Sequence, residues 1–578
     1  MDHLPPHIID SIVSYTIGRD KLRPELRTDA KPVTVPHTLY PLMSIDPEWR
    51  RVASSFIGES AIIFINSQGT DNQNYPEDTQ SLGRIIAAGL EHHVRHFQLY
   101  CTPEDVANGT VHSVVGTLFT QCEGRLTKVY TVTVCVSVLN SHEQYHRHMR
   151  GQPAIDPQEL ASIEKGFNLN IGRIGELLRE AMPNIVSVVY SGDHYSMLDN
   201  KRINTTALSA FLGVAPSIQC LSVLGNQTLY ADFDSKLAPR LKHMHVDLSD
   251  GSGNGLIELV VRNADCLEML SVEFQSSEPL NKLFHNPADK SPVVYSRLHT
   301  FTAPFKNGWR VQDDGCAPTA NPFPVLRKFV WKRMCQFRTS SVFRWIQPTV
   351  EVMEVHISYQ NYEMFVKDGV FDGGSFPNLR RVDLSWYTGP DGISIVDPAG
   401  LLPRVLSLSP VLEEVAFDKR VSYACRVVAP LYRCRDLKEL TIAGIQFTIA
   451  DAIGLINTFP NLQSVVLSLK TSHDVNERGD VSDAEVKEFL EKHSHVANSQ
   501  LRTLEISTVV FTTRPRAAQH ILLLASIFKS IQGIKIRSLN EKRDAAILGA
   551  LDEAKQRKCF DNDGEGRPQC MEFSLVEK

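Results

Sequence analysis

One hydrophobic phrase recurs along the chain. It reads Pro-x-Leu-x-x-Φ-x-Φ, where Φ is apolar, and is clearest at Pro377–Leu384 (PNLRRVDL), Pro460–Leu467 (PNLQSVVL), Pro239–Val246 and Pro410–Phe417. Weaker copies begin at Pro183, Pro216, Pro324 and Pro348, and copies without the proline centre on Leu267, Leu298, Leu437 and Leu501. The third position of each copy falls at 185, 218, 241, 267, 298, 326, 350, 379, 412, 437, 462 and 501, a mean spacing of about 29 residues. The two closing apolar positions are two apart, so they share one face of a strand. A proline ahead of them suits a strand entry, where its missing N–H costs nothing. Between copies lie stretches with helical apolar period: Ile171–Met182, Ile203–Val214, Ile449–Phe459 and Ala484–His493. One strand and one helix cannot bury their own apolar side. The pattern therefore predicts many stacked units, an α/β solenoid of parallel strands with one helix per repeat.

The phrase also sets the organisation. Residues 1–65 lack it and read as a small helical domain: a proline-started helix at Leu4–Tyr15, a polar insert at Gly18–Pro36, and a second helical stretch at Leu39–Phe56. Residues 66–81 are polar and read as a linker. The array is expected over 82–540, with early units at Val94–Leu99 and Leu126–Thr131 and an insertion near 140–165. Residues 541–578 are expected to form a C-terminal cap and a tail of little period.

At 578 residues the chain exceeds what one compact core accommodates, and 42% hydrophobic against 22% charged residues is a globular balance. A formal net charge of −6 shows no basic excess, which argues against nucleic acid or an acidic membrane as the main partner. The 11 cysteines are odd in number and form no Cys-x-x-Cys, so neither a disulfide framework nor a zinc ribbon is expected. Together with the absence of a secretory leader pattern or an 18-residue apolar run, this predicts an intracellular protein, cytoplasmic or nuclear.

The repeat period and strand-plus-helix unit resemble leucine-rich repeats. Ahead of them, Leu4-Pro5, Ile8-Ile9, Ile12-Val13 and Tyr15 resemble the opening helix of an F-box, and Leu42, Ile45 and Trp49-Arg50-Arg51-Val52-Ala53 resemble its later helices. His7 and Thr16 depart from that family's usual acidic residue and leucine, and the polar insert is longer than usual. The resemblance covers about 60 residues. It implies that Leu4, Pro5, Ile8, Ile9, Ile12, Val13, Leu42, Ile45 and Trp49 dock on the adaptor subunit of a cullin–RING ubiquitin ligase. The repeats would then hold a protein substrate, with no catalytic residue or cofactor in the chain. The alternative is that residues 1–65 only cap the array, which repeat proteins need at their ends.

Of the motifs that could carry chemistry, His142-Glu143-Gln144-Tyr145-His146 is a literal H-E-x-x-H, with Glu159 or Glu164 as possible third zinc ligands. Its charged flank, Arg147, His148 and Arg150, favours an exposed polar loop over a metalloprotease helix. His92, His93 and His96 cross from helix to strand and suit a helix C-terminus. Gly251–Gly255 lacks the lysine of a phosphate-binding loop. The remaining functional lead is the polar side of the strands, where His243, His245, Lys328, Lys332, Glu354, His356, Arg381, Asp383, Glu414 and Asp418 are expected on the concave surface. Both signs of charge are present there, which fits a protein partner.

Overall fold

The structure is a computed structural model. It describes residues 8–9, 11, 47–65, 81–136, 157–192, 201–214, 217–224, 240–248, 254–274, 282–286, 289–303, 311–312, 321–331, 335–336, 346–357, 375–386, 404–417, 423–424, 436–470, 500–510, 530–537 and 572–576, with a few scattered single positions. The chain divides into two compact units, residues 1–301 with 318–323, and residues 302–317 with 324–578. It is a mixed α/β protein built on open runs of parallel strands, which makes it solenoid-like.

In the first unit, seven strands pair in chain order, each parallel to the next: β1 (Ser60–Phe64), β2 (His96–Cys101), β3 (Thr131–Val136), β4 (Ser187–Gly192), β5 (Cys220–Leu224), β6 (His243–Leu248) and β7 (Met269–Phe274). An eighth strand, β8, spans Thr300–Ala303. In the second unit the same order holds for β9 (Lys328–Trp331), β10 (Val352–Ile357), β11 (Arg381–Trp386), β12 (Glu414–Phe417), β13 (Glu439–Phe447), β14 (Ser464–Lys470), β15 (Thr503–Val510), β16 (Gly533–Arg537) and β17 (Glu572–Val576).

One hydrogen-bond device fixes the register of both ladders. Just before β2–β8 and β10–β16, two successive N–H groups donate to a single carbonyl at the same position of the preceding repeat. Lys242 and His243 donate to Gln219, Glu268 and Met269 to Lys242, and His299 and Thr300 to Glu268. In the second unit, Glu351 and Val352 donate to Arg327, Arg380 and Arg381 to Glu351, and Glu413 and Glu414 to Arg380. The residue before the forked carbonyl is the leucine of the phrase. In the first unit, Val94, Val129, Ile185, Ile218, Leu241, Leu267 and Leu298 hold this place at no more than 3% exposure. In the second, Leu326, Val350, Leu379, Leu412, Leu437, Leu462 and Leu501 hold it at 0%. Each such side chain contributes about 1.5–3 kcal/mol by leaving water. The asparagine that follows the proline of the phrase stitches neighbours together: Asn378 Nδ2 donates to the Pro348 carbonyl at 2.7 Å, and Asn184 Nδ2 to that of Thr127 at 2.7 Å.

All twelve phrase positions thus precede a strand. The early unit at Val94 also holds, but the one read from Leu126 is out of phase by three residues. Leu126 accepts a turn hydrogen bond from the Val129 N–H, and Val129 takes the leucine place ahead of β3. The ladder also starts earlier than residue 82, because helix α1 (Pro47–Ile57) leads directly into β1. The tail carries a strand, β17, where little period was expected.

Six further described helices lie between strands of the first unit. They are α2 (Leu82–Ala87), α3 (Pro103–Ala107), α4 (Thr110–Cys122), α5 (Pro157–Ala181), α6 (Lys201–Val214) and α7 (Asn254–Arg262). In the second unit α8 (Ile449–Thr458) separates β13 from β14. One helix per repeat is not strict, since α3 and α4 both fall between β2 and β3. The stretch Leu82–His92 is split where Gly89 turns at φ +67°, leaving a 3-10 turn at Glu91–His93. The expected insertion near 140–165 is in part helical. Residues 157–165 form the first turns of α5, whose 25 residues extend the helix expected at Ile171–Met182. Residues 137–156, the polar insert, most of Ala484–His493 and most of 541–571 lie outside the described residues.

Helix α5 crosses α3 closely. Asn170 Nδ2 donates to the Val106 and Ala107 carbonyls at 3.2 and 2.9 Å, closing the end of α3. A Cβ on Gly166 would sit 2.7 Å from the Ala107 carbonyl oxygen. Gly166→Ala is therefore expected to destabilise by about 1–3 kcal/mol. Gly172→Ala on the same helix meets nothing within 4 Å and should stabilise by about 0.5–1 kcal/mol. Urea midpoints of the two variants check both signs.

Candidate functional site: the polar faces of the strands

Because side chains alternate along a strand, every second residue lies on the face away from the apolar core. In-register pairing stacks these residues into columns, neighbours within a column being about 4.8 Å apart. One column of the first unit runs Ser60, His96, Thr131, Ser187, Cys220, His243 and Met269; a second runs Ile62, Gln98, Thr133, Val189, Ser222, His245 and Ser271. In the second unit the columns run Lys328, Val352, Arg381, Glu414, Glu439, Ser464 and Thr503, and Val330, Glu354, Asp383, Ala416, Thr441, Val466 and Glu505.

The two faces differ in kind. Much of the first is closed to water: Ser60, His96, Gln98, Thr131, Thr133, Ser187, Ser191, Ser222, His245, Asp247 and Glu273 are all buried. Buried polar groups need partners. Gln98 Nε2 donates to Ser60 Oγ at 3.1 Å and Gln98 Oε1 accepts from the Tyr100 hydroxyl at 3.1 Å. The Tyr130 hydroxyl lies 3.2 Å from His96 Nε2. His245 was expected to face solvent. It is 9% exposed, and its Nε2 lies 3.4 Å from Glu273 Oε1 on the next strand. Serines and threonines hold six of these eleven buried positions.

Its half-open part lies over β5–β7. Cys220 Sγ is 3.4 Å from His243 Nδ1 on the adjacent strand. His243 Nε2 in turn lies 3.9 Å from Glu268 Oε2, a carboxylate that Lys242 Nζ also approaches to 3.8 Å. His243 was expected on this face; Cys220 and Glu268 were not singled out. The signal was available, because Cys220 and His243 hold the same place in successive copies of the phrase.

The second face is charged and more open. Arg381 and Glu439 are exposed and Lys328, Glu354, Asp383, Glu414 and Glu505 are half-buried. Lys328 Nζ lies 3.4 Å from Glu354 Oε1, and Arg381 Nη1 lies 3.3 Å from Glu414 Oε2. Burial pushes the Glu505 carboxyl up, opposed by Lys535. Beside the columns, the forked-carbonyl positions alternate in sign as Arg327, Glu351, Arg380, Glu413 and Lys438. Arg327 pairs with Glu351 at 3.8 Å, and Glu413 bridges Arg380 at 3.2 Å and Lys438 at 2.6 Å. His356 lies on β10 at the register position of Ser385, while Lys332 and Asp418 lie outside the described residues. Trp331 is core, stacked on Phe329 at a 5.8 Å centroid distance.

Of the residues expected to meet an adaptor, Ile8 is exposed at 38%, whereas Ile9 and Trp49 are buried at 1% and 5%. Leu4, Pro5, Ile12, Val13, Leu42 and Ile45 lie outside the described residues, as do His142, Glu143 and His146. Glu159 is exposed and Glu164 half-buried, both on α5. Among the described residues no group of three or more His, Cys, Asp or Glu is placed to hold a metal, and no helix is long and apolar enough to cross a membrane. No family model matches the chain, and no curated protein matches it.

The Lys438 ammonium, hydrogen-bonded to Glu413, holds that carboxyl below the usual range; burial opposes this and Arg380 adds to it. Because the folded value is depressed, the stabilisation is present at neutral pH and is lost as pH falls through it. The group is partly exposed, so the contribution is at most about 1 kcal/mol. Glu413→Gln should lower stability by up to that amount at pH 7 in low salt and flatten the acid limb. Urea unfolding at pH 7 and pH 4 measures both.

Proposed function

We propose that the chain is a non-catalytic partner-binding repeat protein that serves as the substrate-recognition subunit of an SCF-type cullin–RING E3 ubiquitin ligase. The observation that carries the partner-binding half is the charged, partly open strand face of the second unit. Its columns present paired charges of both signs on a rigid in-register frame. Such a face discriminates between protein partners by charge pattern. The ligase half rests on the F-box resemblance of Leu4–Phe56 and on its position ahead of a repeat array. In this reading the adaptor takes apolar residues of the first helix, the exposed Ile8 among them, while the buried Trp49 belongs to the packing of α1. The chemistry of ubiquitin transfer belongs to other subunits.

A second reading is a scaffold whose N-terminal block is only a cap. The observation favouring it is the direct run of α1 into β1, with Val52, Ala53, Phe56 and Ile57 buried.

A pull-down of the full chain with purified ligase adaptor separates the two. Trp49→Ala is unsuitable, since truncating a buried tryptophan costs about 3–5 kcal/mol. The informative variant is Ile8→Asp, at an exposed position. The ligase reading expects adaptor binding that Ile8→Asp weakens about tenfold or more, since a lost apolar contact is worth about 1.4 kcal/mol or more. No binding by the folded wild-type chain leaves the cap.

A further inference from the structure

The half-open patch over β5–β7 goes beyond partner binding. Cys220, His243 and Glu268 sit on three successive repeats, with the imidazole between the sulfur and the carboxylate: Sγ to Nδ1 3.4 Å, and Nε2 to Oε2 3.9 Å. This is the arrangement by which a nucleophile is activated, a base within reach of it and a third group orienting the base. From this geometry we propose that Cys220 is a reactive thiol, modified by hydroperoxides and other small soft electrophiles that reach the half-open part of the first unit's strand face.

The chemistry follows from the placement. His243 takes the Cys220 proton, leaving a thiolate beside an imidazolium that Glu268 stabilises. The thiolate sulfur attacks one oxygen of a hydroperoxide. The S–O bond forms as the O–O bond breaks, the sulfur is oxidised to a sulfenic acid, and the peroxide is reduced. The leaving oxygen takes its proton from the His243 imidazolium, which returns to neutral imidazole.

Acyl transfer is a poorer fit, because it needs N–H donors aimed at an oxyanion. Here the Cys220 N–H is bonded to the Val186 carbonyl and the His243 N–H to that of Gln219. Cys101 and Cys122 differ from Cys220: both are buried, and burial pushes their thiols up, Cys122 to about 11. Other charged and titratable groups near Cys220 come from the neighbouring repeats: Lys242, His245 and Asp247 from β6 and its entry, and Glu273 from β7. Lys242 shares Glu268 with His243, and His245 is paired with Glu273.

The test treats the full-length chain at pH 7 with a small excess of hydrogen peroxide. Sulfenic acid is trapped with dimedone and located by peptide mass spectrometry. Cys266, half-buried in the turn between α7 and β7, serves as the internal reference. Cys220 is expected to be tagged about tenfold faster than Cys266, and its iodoacetamide rate should reach half-maximum below the ordinary thiol value of about 8.5. His243→Gln should remove the advantage and move that midpoint upward, and Glu268→Gln should do so in part. Equal tagging of Cys220 and Cys266 in the native chain overturns the assignment. So does an ordinary thiol midpoint in the wild type, a measurement that does not depend on how either variant folds.

Discussion

The described strands depend on one recurring contact, a carbonyl that accepts two N–H groups from the next repeat. A parallel strand pair needs a crossover, and the crossovers here vary widely in length. The forked bond makes that variation harmless. However long the connection, the chain returns to the same carbonyl, and the two residues that dock there fix the face of every side chain after them. A slip of one residue would turn the apolar column to water and the polar one into the core. The buried leucine just ahead of the fork makes such a slip costly. Backbone pairing and side-chain burial therefore enforce the same register.

Given that frame, the two units use the polar side of the sheet differently. The first fills much of it with short hydroxyls and a few amides and imidazoles, several of which bond to one another. This rigidifies the face and leaves a partly open area near its far strands. The second populates it with long charged side chains that reach across strands, keeping it hydrated and available. One surface is spent on internal order, while the other keeps its charges at the surface.

The phrase made the strands legible because the leucine, the fork and the alternating apolar pair occupy fixed offsets. All twelve copies fell in phase, and the helices at Lys201–Val214 and Ile449–Thr458 followed from their apolar period. The Leu126 misreading shows the limit. Two buried aliphatics three residues apart both fit the leucine place, and only the turn hydrogen bond between them decides. Nor could the phrase show that His245 would be buried, because that depends on residues one repeat away. Cys220 and Glu268 escaped notice for a related reason. They are ordinary residues in their own copies and become a constellation only when three copies are laid side by side.

The alternation of Arg327, Glu351, Arg380, Glu413 and Lys438 gives this part of the array a parity. Removing any one interior repeat would bring two like charges together at neighbouring forks, whereas removing an adjacent pair would leave the sequence of signs intact. Like charges directly opposed across strands are destabilising. Such an array is free to grow or shrink by twos and resists changing by one. The surface charges thus constrain how its length can change, although each contributes little to holding any single repeat in place.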